Sequence, residues 1–189
     1  MEGKIIVISA PSGCGKSTII GRLFDGGDLN MRFSVSATNR QPRQGEENGV
    51  HYHFLSTAEF RDAVAAGKFI EWEEVYPGRY YGTLRSEIQN RVKEGHNVIL
   101  DIDVKGGVNV KKLFGDDAIS IFIAPPSISE LRWRLKKRGS ESDEDIEERV
   151  GRAEFELNFR NDYDHVVVND TLPEAIAEIE TLMKGFIEA

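Results

Sequence analysis

A glycine-rich turn near the N-terminus places a lysine and a serine at the spacing of a phosphate-binding loop. Gly13 and Gly15 let the backbone bend so that several N–H groups point at one anion. Lys16 supplies a point charge to the terminal phosphates, and the hydroxyl of Ser17 is a ligand for Mg²⁺. The turn lies between an apolar strand and a helix, whose N-terminus adds its positive dipole end. The residues predicted to bind the phosphates are Ser12, Gly13, Cys14, Gly15, Lys16, Ser17 and Thr18.

Two positions of the turn need a separate interpretation. Ala10 stands where the full pattern has glycine, and a small residue is sufficient there if its φ angle is negative. Cys14 is the only cysteine, which excludes an intramolecular disulfide and a cysteine-rich zinc site. Since no histidine partner is evident, we interpret Cys14 as a small loop residue rather than a nucleophile.

An acidic pair ends an apolar run in the middle of the chain, at Leu100-Asp101-Ile102-Asp103. An aspartate at the end of a buried strand beside a phosphate loop holds Mg²⁺ directly or through water. Two carboxylates two residues apart in an extended segment point to the same side, so we expect both to face the site. Asp101 is the predicted metal ligand together with Ser17. The alternative is an aspartate that only caps a helix.

Buried strands alternate with amphipathic helices, the pattern of a three-layer α/β fold with a central parallel sheet. The predicted core strands lie at 4–9, 32–36, 97–103, 118–124 and 165–169, and the predicted helices lie at 17–24, 127–138, 146–159 and 171–187. Capping boxes are predicted for Ser127 with Glu130 and for Thr171 with Glu174.

The segment 37–95 differs in character, being polar and rich in Arg, Gly, Tyr and Glu. It contains strand-like pieces at 51–55 and 69–73 and helical pieces at 57–66 and 84–94, so we interpret it as an inserted α+β subdomain. Core segments are expected at 1–36, 96–125 and 163–189. The region 126–162 combines a basic helix with a strongly acidic tract, which suits an exposed, mobile segment.

The composition is that of a soluble globular protein of one domain. The chain has 189 residues, 40% hydrophobic and 30% charged, and 24 Lys and Arg against 32 Asp and Glu give a net charge of −8. This balance disfavours a general nucleic-acid binder, which carries a basic face. No apolar run approaches the ~18 residues of a membrane helix, and the apolar N-terminal stretch is too short for a signal peptide. We therefore expect a cytoplasmic enzyme, with no nucleic-acid or membrane partner, and leave open whether it is a monomer or a homo-oligomer.

Several segments, in their order along the chain, resemble signature segments of the guanylate kinase family. They lie at 33–46, 49–54, 69–72, 80–83, 100–103, 138–142 and 166–170, so the resemblance spans essentially the whole chain. It implies a P-loop NTPase fold with a mixed α+β GMP-binding subdomain at 37–95 and a helical lid within 126–162. It also implies reversible, Mg²⁺-dependent transfer of the γ-phosphoryl group of ATP to GMP, giving ADP and GDP.

The resemblance further implies which residues bind GMP. Two arginines and two tyrosines clamp the acceptor phosphate, which suits their planar forks and hydroxyl donors. Two carboxylates accept hydrogen bonds from the donor edge of guanine, and two hydroxyls complete the base contacts. The clamp is Arg40, Arg43, Tyr52 and Tyr81, and the base site is Glu71, Asp103, Ser36 and Thr83. Thr83 stands where the family usually has serine.

Arginines of the lid are implied to neutralise charge on the transferring phosphoryl group. Arg138 and Arg149 take that role, Arg134 lies nearby on the ATP side, and Asn169 contacts adenine. Catalysis is then positioning and charge neutralisation by Mg²⁺ and the side chains of Lys16, Arg43, Arg138 and Arg149. No general base is required, because the accepting phosphate is already ionised. Lys105 replaces a glutamine of the family pattern and is given no role.

Two other functions stay open at this point. One is a P-loop kinase for another phosphorylated acceptor, against which Glu71 and Asp103 argue, since adenine lacks the donor pair of guanine. The other is a guanylate-kinase-like scaffold domain without catalysis, against which the intact loop with Lys16 argues. His51 and His53 share a strand face, but without a third ligand we interpret them as sheet or surface histidines rather than metal ligands.

Overall fold

The computed structural model describes residues 2–26, 29–138 and 142–189. The strands are β1 (Ile5–Ser9), β2 (Met31–Phe33), β3 (Ala37–Thr38), β4 (His53–Phe54), β5 (Phe69–Tyr76), β6 (Arg79–Leu84), β7 (Asn97–Asp101), β8 (Ala118–Ala124) and β9 (His165–Val168). The helices are α1 (Lys16–Asp25), α2 (Thr57–Ala65), α3 (Arg85–Lys93), α4 (Val104–Phe114), α5 (Ile128–Arg138), α6 (Asp143–Leu157) and α7 (Leu172–Glu188).

A five-stranded parallel sheet in the order β2-β7-β1-β8-β9 forms the centre of the molecule. Alternate residues of β1 enter two separate cores. Ile6 and Ile8 belong to the core that α1 and α7 cover, whereas Ile5 and Val7 belong to the core that α3 and α4 cover. A strand buried on both faces must be apolar throughout, which explains the run without alternation. The predicted three-layer α/β fold is confirmed.

A second, four-stranded sheet in the order β4-β3-β6-β5 forms within the inserted segment. Its strands are antiparallel except for the β3–β4 pair, which is parallel. Phe60 of α2 stacks on Phe69 and Tyr80, with ring centroids 4.4 and 5.5 Å apart, and gives this sheet a core of its own. Helix α3 packs instead against the central sheet, because its residue Ile88 is buried in the core of that sheet.

One helix was absent from the sequence prediction. Strand β7 ends at Asp101, and the chain turns into α4 at Val104, so Asp103 does not continue the strand as predicted. It is the N-cap of α4, where its Oδ1 accepts from the backbone N–H groups of Lys105 and Gly106. Two adjacent glycines obscured the helical pattern. Gly107 is required because a Cβ there would overlap the hydroxyl of Tyr163.

Other boundaries also differ from the prediction. Strand β6 was not predicted, and α6 begins three residues earlier, at a capping box in which Ser142 pairs with Asp145. The capping box predicted for Thr171 is wrong, because its hydroxyl donates to the Glu174 carboxylate (2.6 Å) and accepts no hydrogen bond from a backbone N–H of the helix. Among the described residues, no helix is both long and apolar enough to cross a membrane.

Candidate active site

The phosphate loop follows β1 and leads into α1. Gly13 and Gly15 have φ angles of +93° and +86°, a backbone region that side chains rarely adopt. A Cβ on Gly13 would also lie 2.9 Å from the side chain of Leu131, and one on Gly15 would lie 2.7 Å from Nδ2 of Asn169. Both glycines are therefore required by conformation and by space. The loop lies at the start of α1, the end of a helix that favours an anion.

A cleft of about 910 Å³ opens above this loop. An ion pair crosses this cleft. Nζ of Lys16, in the first turn of α1, lies 2.5 Å from Oδ1 of Asp101, at the end of β7. Ser17 and Asp103 line the same cleft. The expectation that both aspartates face the site holds, although Asp103 reaches the cleft from a helix N-cap and not from a strand.

Helix α6 forms the opposite wall of the cleft. Nη1 of Arg149 donates to Oγ of Ser12 (2.8 Å), which joins the lid region to the phosphate loop. Arg138 is the last residue of α5, and its side chain lies outside the described part of the structure, as do residues 139–141 of the family-like segment. Its predicted catalytic role stays a prediction.

Asn169 contacts the other side of the loop, and Arg134 in turn contacts Asn169. Nδ2 of Asn169 donates to the carbonyl of Cys14 (2.8 Å). The guanidinium of Arg134 donates to the carbonyls of Asn169 (2.8 Å) and Asp170 (3.2 Å) and to the carboxylate of Glu130 (2.8 Å). Burial raises the pKa of the Cys14 thiol to about 12, which keeps it protonated and unreactive at neutral pH.

A half-buried carboxylate lies on the second sheet. Glu71 on β5 is paired in register with Thr83 on β6, and the Thr83 hydroxyl donates to Oε1 of Glu71 (2.5 Å). Burial raises the pKa of Glu71 to about 7, and the charges of Asp103 and Glu73 act in the same direction. Thr83 is itself fully buried, so its hydroxyl is a fixed partner for the carboxylate.

Gly106 on α4 separates Glu71 from Asp103. A Cβ at this position would lie 3.2 Å from Cγ of Glu71 and 3.4 Å from Oδ2 of Asp103. Oδ1 of Asp103 caps the helix, and Oδ2 is the oxygen that borders the space around Gly106. A carboxylate from β5 and one from the N-cap of α4 thus border one small space that a side chain would fill.

An arginine fork lies near the tyrosines of the predicted phosphate clamp. The guanidinium of Arg40 donates to both oxygens of Glu46 (2.7 and 2.8 Å), and this pairing lowers the pKa of Glu46 to about 2. It also lies 5.1 Å from the ring centre of Tyr52, which meets Tyr81 edge-on at 6.0 Å. The side chain of Arg43 is exposed, and its backbone N–H donates to the carboxylate of Glu46 (2.6 Å). Ser36, Tyr52 and Thr83 line a neighbouring cavity of about 310 Å³.

Sequence reasoning missed two residues of this arrangement. Glu46 forms an ion pair with the guanidinium of Arg40. An acidic residue six positions after the arginine in the same loop was the signal that could have predicted this pair. Gly106 had no local signal, because its neighbour Glu71 is distant in sequence. Of the two histidines considered as ligands, His51 accepts from the N–H of Glu47 and His53 pairs with Glu87.

The fold and the site together define a P-loop kinase of the α/β class, with a phosphate loop in one cleft and, beside it, carboxylates from the second sheet and from the start of α4. A family model for guanylate kinase matches residues 2–185. The chain belongs to the guanylate kinase family. It is a nucleoside monophosphate kinase, an ATP:GMP phosphotransferase, and the scaffold alternative is not favoured.

Similar proteins cover nearly the whole chain. Guanylate kinase of Porphyromonas gingivalis is 51% identical over 184 residues, which are 97% of this chain and 98% of that protein. Guanylate kinase of Salinibacter ruber is 50% identical over 188 residues, 100% of this chain and 99% of that protein. The crystal structure of guanylate kinase from Anaplasma phagocytophilum superposes with a TM-score of 0.73 at 30% identity, covering 100% of this chain and 88% of that one. The predicted family, fold and activity are confirmed.

Proposed function

We propose that the enzyme holds GMP between the second sheet and α4 and ATP on the phosphate loop, and transfers the γ-phosphoryl group between them. The observation that carries this assignment is the pair of carboxylates, Glu71 and Asp103, at the edge of one small space next to the phosphate cleft. Guanine presents N1–H and an N2 amino group side by side. Two carboxylates are the matching acceptors, and adenine offers no such pair of donors.

Three half-buried groups would bind the guanine base. Glu71 accepts from N1–H and the amino group, held in place by the Thr83 hydroxyl at 2.5 Å. Asp103 accepts from the amino group through Oδ2, because its Oδ1 caps α4. Ser36, which lines the adjoining cavity with Thr83, completes the contacts to the base. Buried acceptors left unpaired by a wrong base are costly, which makes this arrangement selective.

The acceptor phosphate would bind to the clamp of Arg40, Arg43, Tyr52 and Tyr81. Arg40 is supported by Glu46 and by the rings of Tyr52 and Phe54, so its guanidinium is oriented before the ligand arrives. Arg43 is exposed and supplies its charge from the same loop. An oriented guanidinium together with an exposed one suits a phosphate that must bind and then react.

The donor phosphates would bind to residues 12–18, with Lys16 on the terminal phosphates and Arg134 and Asn169 on the nucleoside side. A hydroxyl and a carboxylate, from Ser17 and Asp101, line the cleft near these phosphates. This donor set fits Mg²⁺, which prefers hard oxygen ligands and takes one or two from protein with substrate phosphates and water. When bound, Mg²⁺ neutralises phosphate charge.

Transfer requires positioning and charge neutralisation rather than proton abstraction. The acceptor phosphate is ionised at neutral pH, so its oxygen attacks without a base. Lys16, Arg43, Arg138 and Arg149 surround the transferring group with positive charge, and Arg149 approaches it from α6 through its contact with Ser12. Closure of the subdomain 37–95 and the lid 126–162 on the core segments would exclude water as a competing acceptor.

A panel of nucleoside monophosphates tests this proposal. ADP formation from ATP and Mg²⁺ is measured with GMP, AMP, CMP and UMP in turn, and only GMP is expected to give rapid turnover. Equal turnover with AMP would contradict the roles of Glu71 and Asp103. Asp101→Asn is expected to raise the Mg²⁺ concentration needed for half-maximal rate, with little change in GMP affinity. The cytoplasmic location stays a prediction.

A further inference from the structure

A second cavity, of about 520 Å³, adjoins the phosphate cleft. Gly13, Gly15 and Thr18 line both spaces, so a group attached to phosphates on the loop reaches this cavity directly. Its size lies within the ~300–1,000 Å³ of small-molecule sites. The inference below rests on the proposed function, in which the phosphates of ATP bind to the loop and its nucleoside must lie close by.

One wall of this cavity is a flat guanidinium. Arg134 is fixed by hydrogen bonds to the carbonyls of Asn169 and Asp170 and to the carboxylate of Glu130. Because Nε, Nη1 and Nη2 each donate in this way, the face of the guanidinium is the part that a ring in the cavity would contact. Nδ2 of Asn169 is likewise used by the carbonyl of Cys14. This wall is therefore suited to stacking against a flat ring.

The neighbouring side chain, Trp133, is an exposed aromatic with no part in the core. It is 54% exposed, whereas Leu131 and Leu135 on either side of it are fully buried and fix α5 to the sheet. Lys137, one helical turn later, places Nζ 4.7 Å from the indole ring centre and restrains the ring. Both side chains line the cavity next to Arg134. An indole held at the mouth of a nucleotide cavity has a large π surface available to a base.

We infer that Trp133 is a binding residue for the donor base, with its indole ring forming the outer wall against which the adenine of ATP packs. Base–aromatic stacking depends on π surface rather than on the edge of the base. Trp133 thus contributes affinity for the donor nucleoside, while the phosphate loop and the carboxylate site act independently of it.

Fluorescence of a single-tryptophan enzyme tests the contact directly. Trp72→Phe leaves Trp133 as the one tryptophan, since the chain has two. ADP is expected to change the Trp133 emission, and inorganic tripolyphosphate, which occupies the loop without a base, is expected to leave it unchanged. Calorimetry shows that each probe binds. ADP binding without any change in emission would overturn the inference.

Steady-state kinetics with a matched control complete the test. Trp133→Ala is expected to raise the KM for ATP about tenfold, equivalent to ~1.4 kcal/mol, with kcat and the KM for GMP unchanged, and Trp133→Phe to restore most of the affinity. The control is Phe155→Ala, because Phe155 is 50% exposed, also has a lysine over its ring, and lies outside both cavities. An ATP KM within twofold of wild type in Trp133→Ala would refute the assignment.

Failure of this inference is distinguishable from failure of the proposed function. The function is tested by wild-type turnover of GMP, which does not depend on Trp133. The ADP fluorescence change and the calorimetric ADP affinity of Trp133→Ala need no turnover. Wild-type turnover of GMP with an unaltered ADP affinity in Trp133→Ala would remove Trp133 from the site and leave the function standing.

Discussion

Lys16 and Asp101 join the phosphate loop to the end of β7 through an ion pair, with Nζ and Oδ1 2.5 Å apart. Each side chain neutralises the other in a cleft that also holds Arg149 and Asp103. Under the proposed function, binding of ATP with Mg²⁺ would exchange this pairing for two new ones, lysine with phosphate and aspartate with metal. The two side chains are thus held at the sites where their proposed partners bind.

Lys16→Met is expected to reduce phosphoryl transfer to below a tenth of the wild-type turnover, because the charge acts on phosphates in the transition state. An increase of less than ~1.4 kcal/mol in the activation free energy would contradict this role. Turnover is measured together with thermal unfolding, which is expected to stay cooperative. Lys184→Met, which removes a surface lysine paired with Glu180 on α7, is the control and is expected to keep full activity.

Glu71→Gln is expected to lower kcat/KM for GMP at least tenfold, since one acceptor becomes an NH₂ donor facing a guanine donor. The same variant is expected to gain stability at high pH. In the folded protein burial raises the pKa of Glu71 from 4.5 to about 7, so ionisation costs about 3 kcal/mol of folding free energy above pH 7. Below pH 4.5 the group is protonated in both states, and this cost is absent.

Urea unfolding of wild type and Glu71→Gln at pH 5 and pH 8 measures that cost. The free energy of unfolding of the wild type is expected to fall relative to that of the variant as the pH rises between these values. Parallel pH dependences in the two proteins would show that Glu71 titrates normally. Thr83→Val, which removes the hydroxyl that favours the ionised carboxylate, is expected to move the Glu71 pKa further upward.

GMP binding is expected to release a proton between pH 6 and pH 7. The guanine donors favour the ionised form of Glu71, whose pKa of about 7 leaves much of the free enzyme protonated in this range. Calorimetry in buffers of different ionisation enthalpy counts the protons released. In Glu71→Gln the release is expected to fall to the amount that the phosphate of GMP itself contributes.

Substitutions of Arg138 and Arg43 are expected to have different effects on kcat and on GMP binding. Arg138→Ala is expected to lower kcat far more than it weakens GMP binding, because a lid arginine acts chiefly after closure. Arg43→Ala is expected to impair both, since it contacts the acceptor phosphate before and during transfer. GMP titrations by calorimetry and steady-state rates compare the two variants, and equal losses of GMP affinity would refute this division.

Gly106→Ala is expected to raise the KM for GMP while leaving the KM for ATP unchanged. The new methyl would lie 3.2 Å from Cγ of Glu71 and 3.4 Å from Oδ2 of Asp103, in the space assigned to the edge of guanine. Alanine favours the helix by up to ~1 kcal/mol, so reduced GMP affinity would not reflect an intrinsic loss of helix stability. The control is Gly151→Ala on α6, where a Cβ has nothing within 4 Å.

Local sequence was sufficient for the phosphate loop and for the layers of the central fold. Gly13, Gly15 and Lys16 lie within a few residues, and the φ angles above +80° that the two glycines adopt are a local requirement. The apolar strands were evident because a parallel sheet is covered on both faces. The end of β7 was misjudged since the capping of α4 by Asp103 competes with strand continuation, and adjacent glycines weaken the helical pattern.

The space around Gly106 was decided only by tertiary structure. Glu71 reaches it from β5 and Asp103 from the start of α4, and their approach depends on how the second sheet packs against α4. The raised pKa of Glu71 has the same origin, because desolvation depends on neighbours that are distant along the chain. Residue types and spacing can indicate which groups bind guanine. Only the packing of the second sheet against α4 determines that those groups border one space.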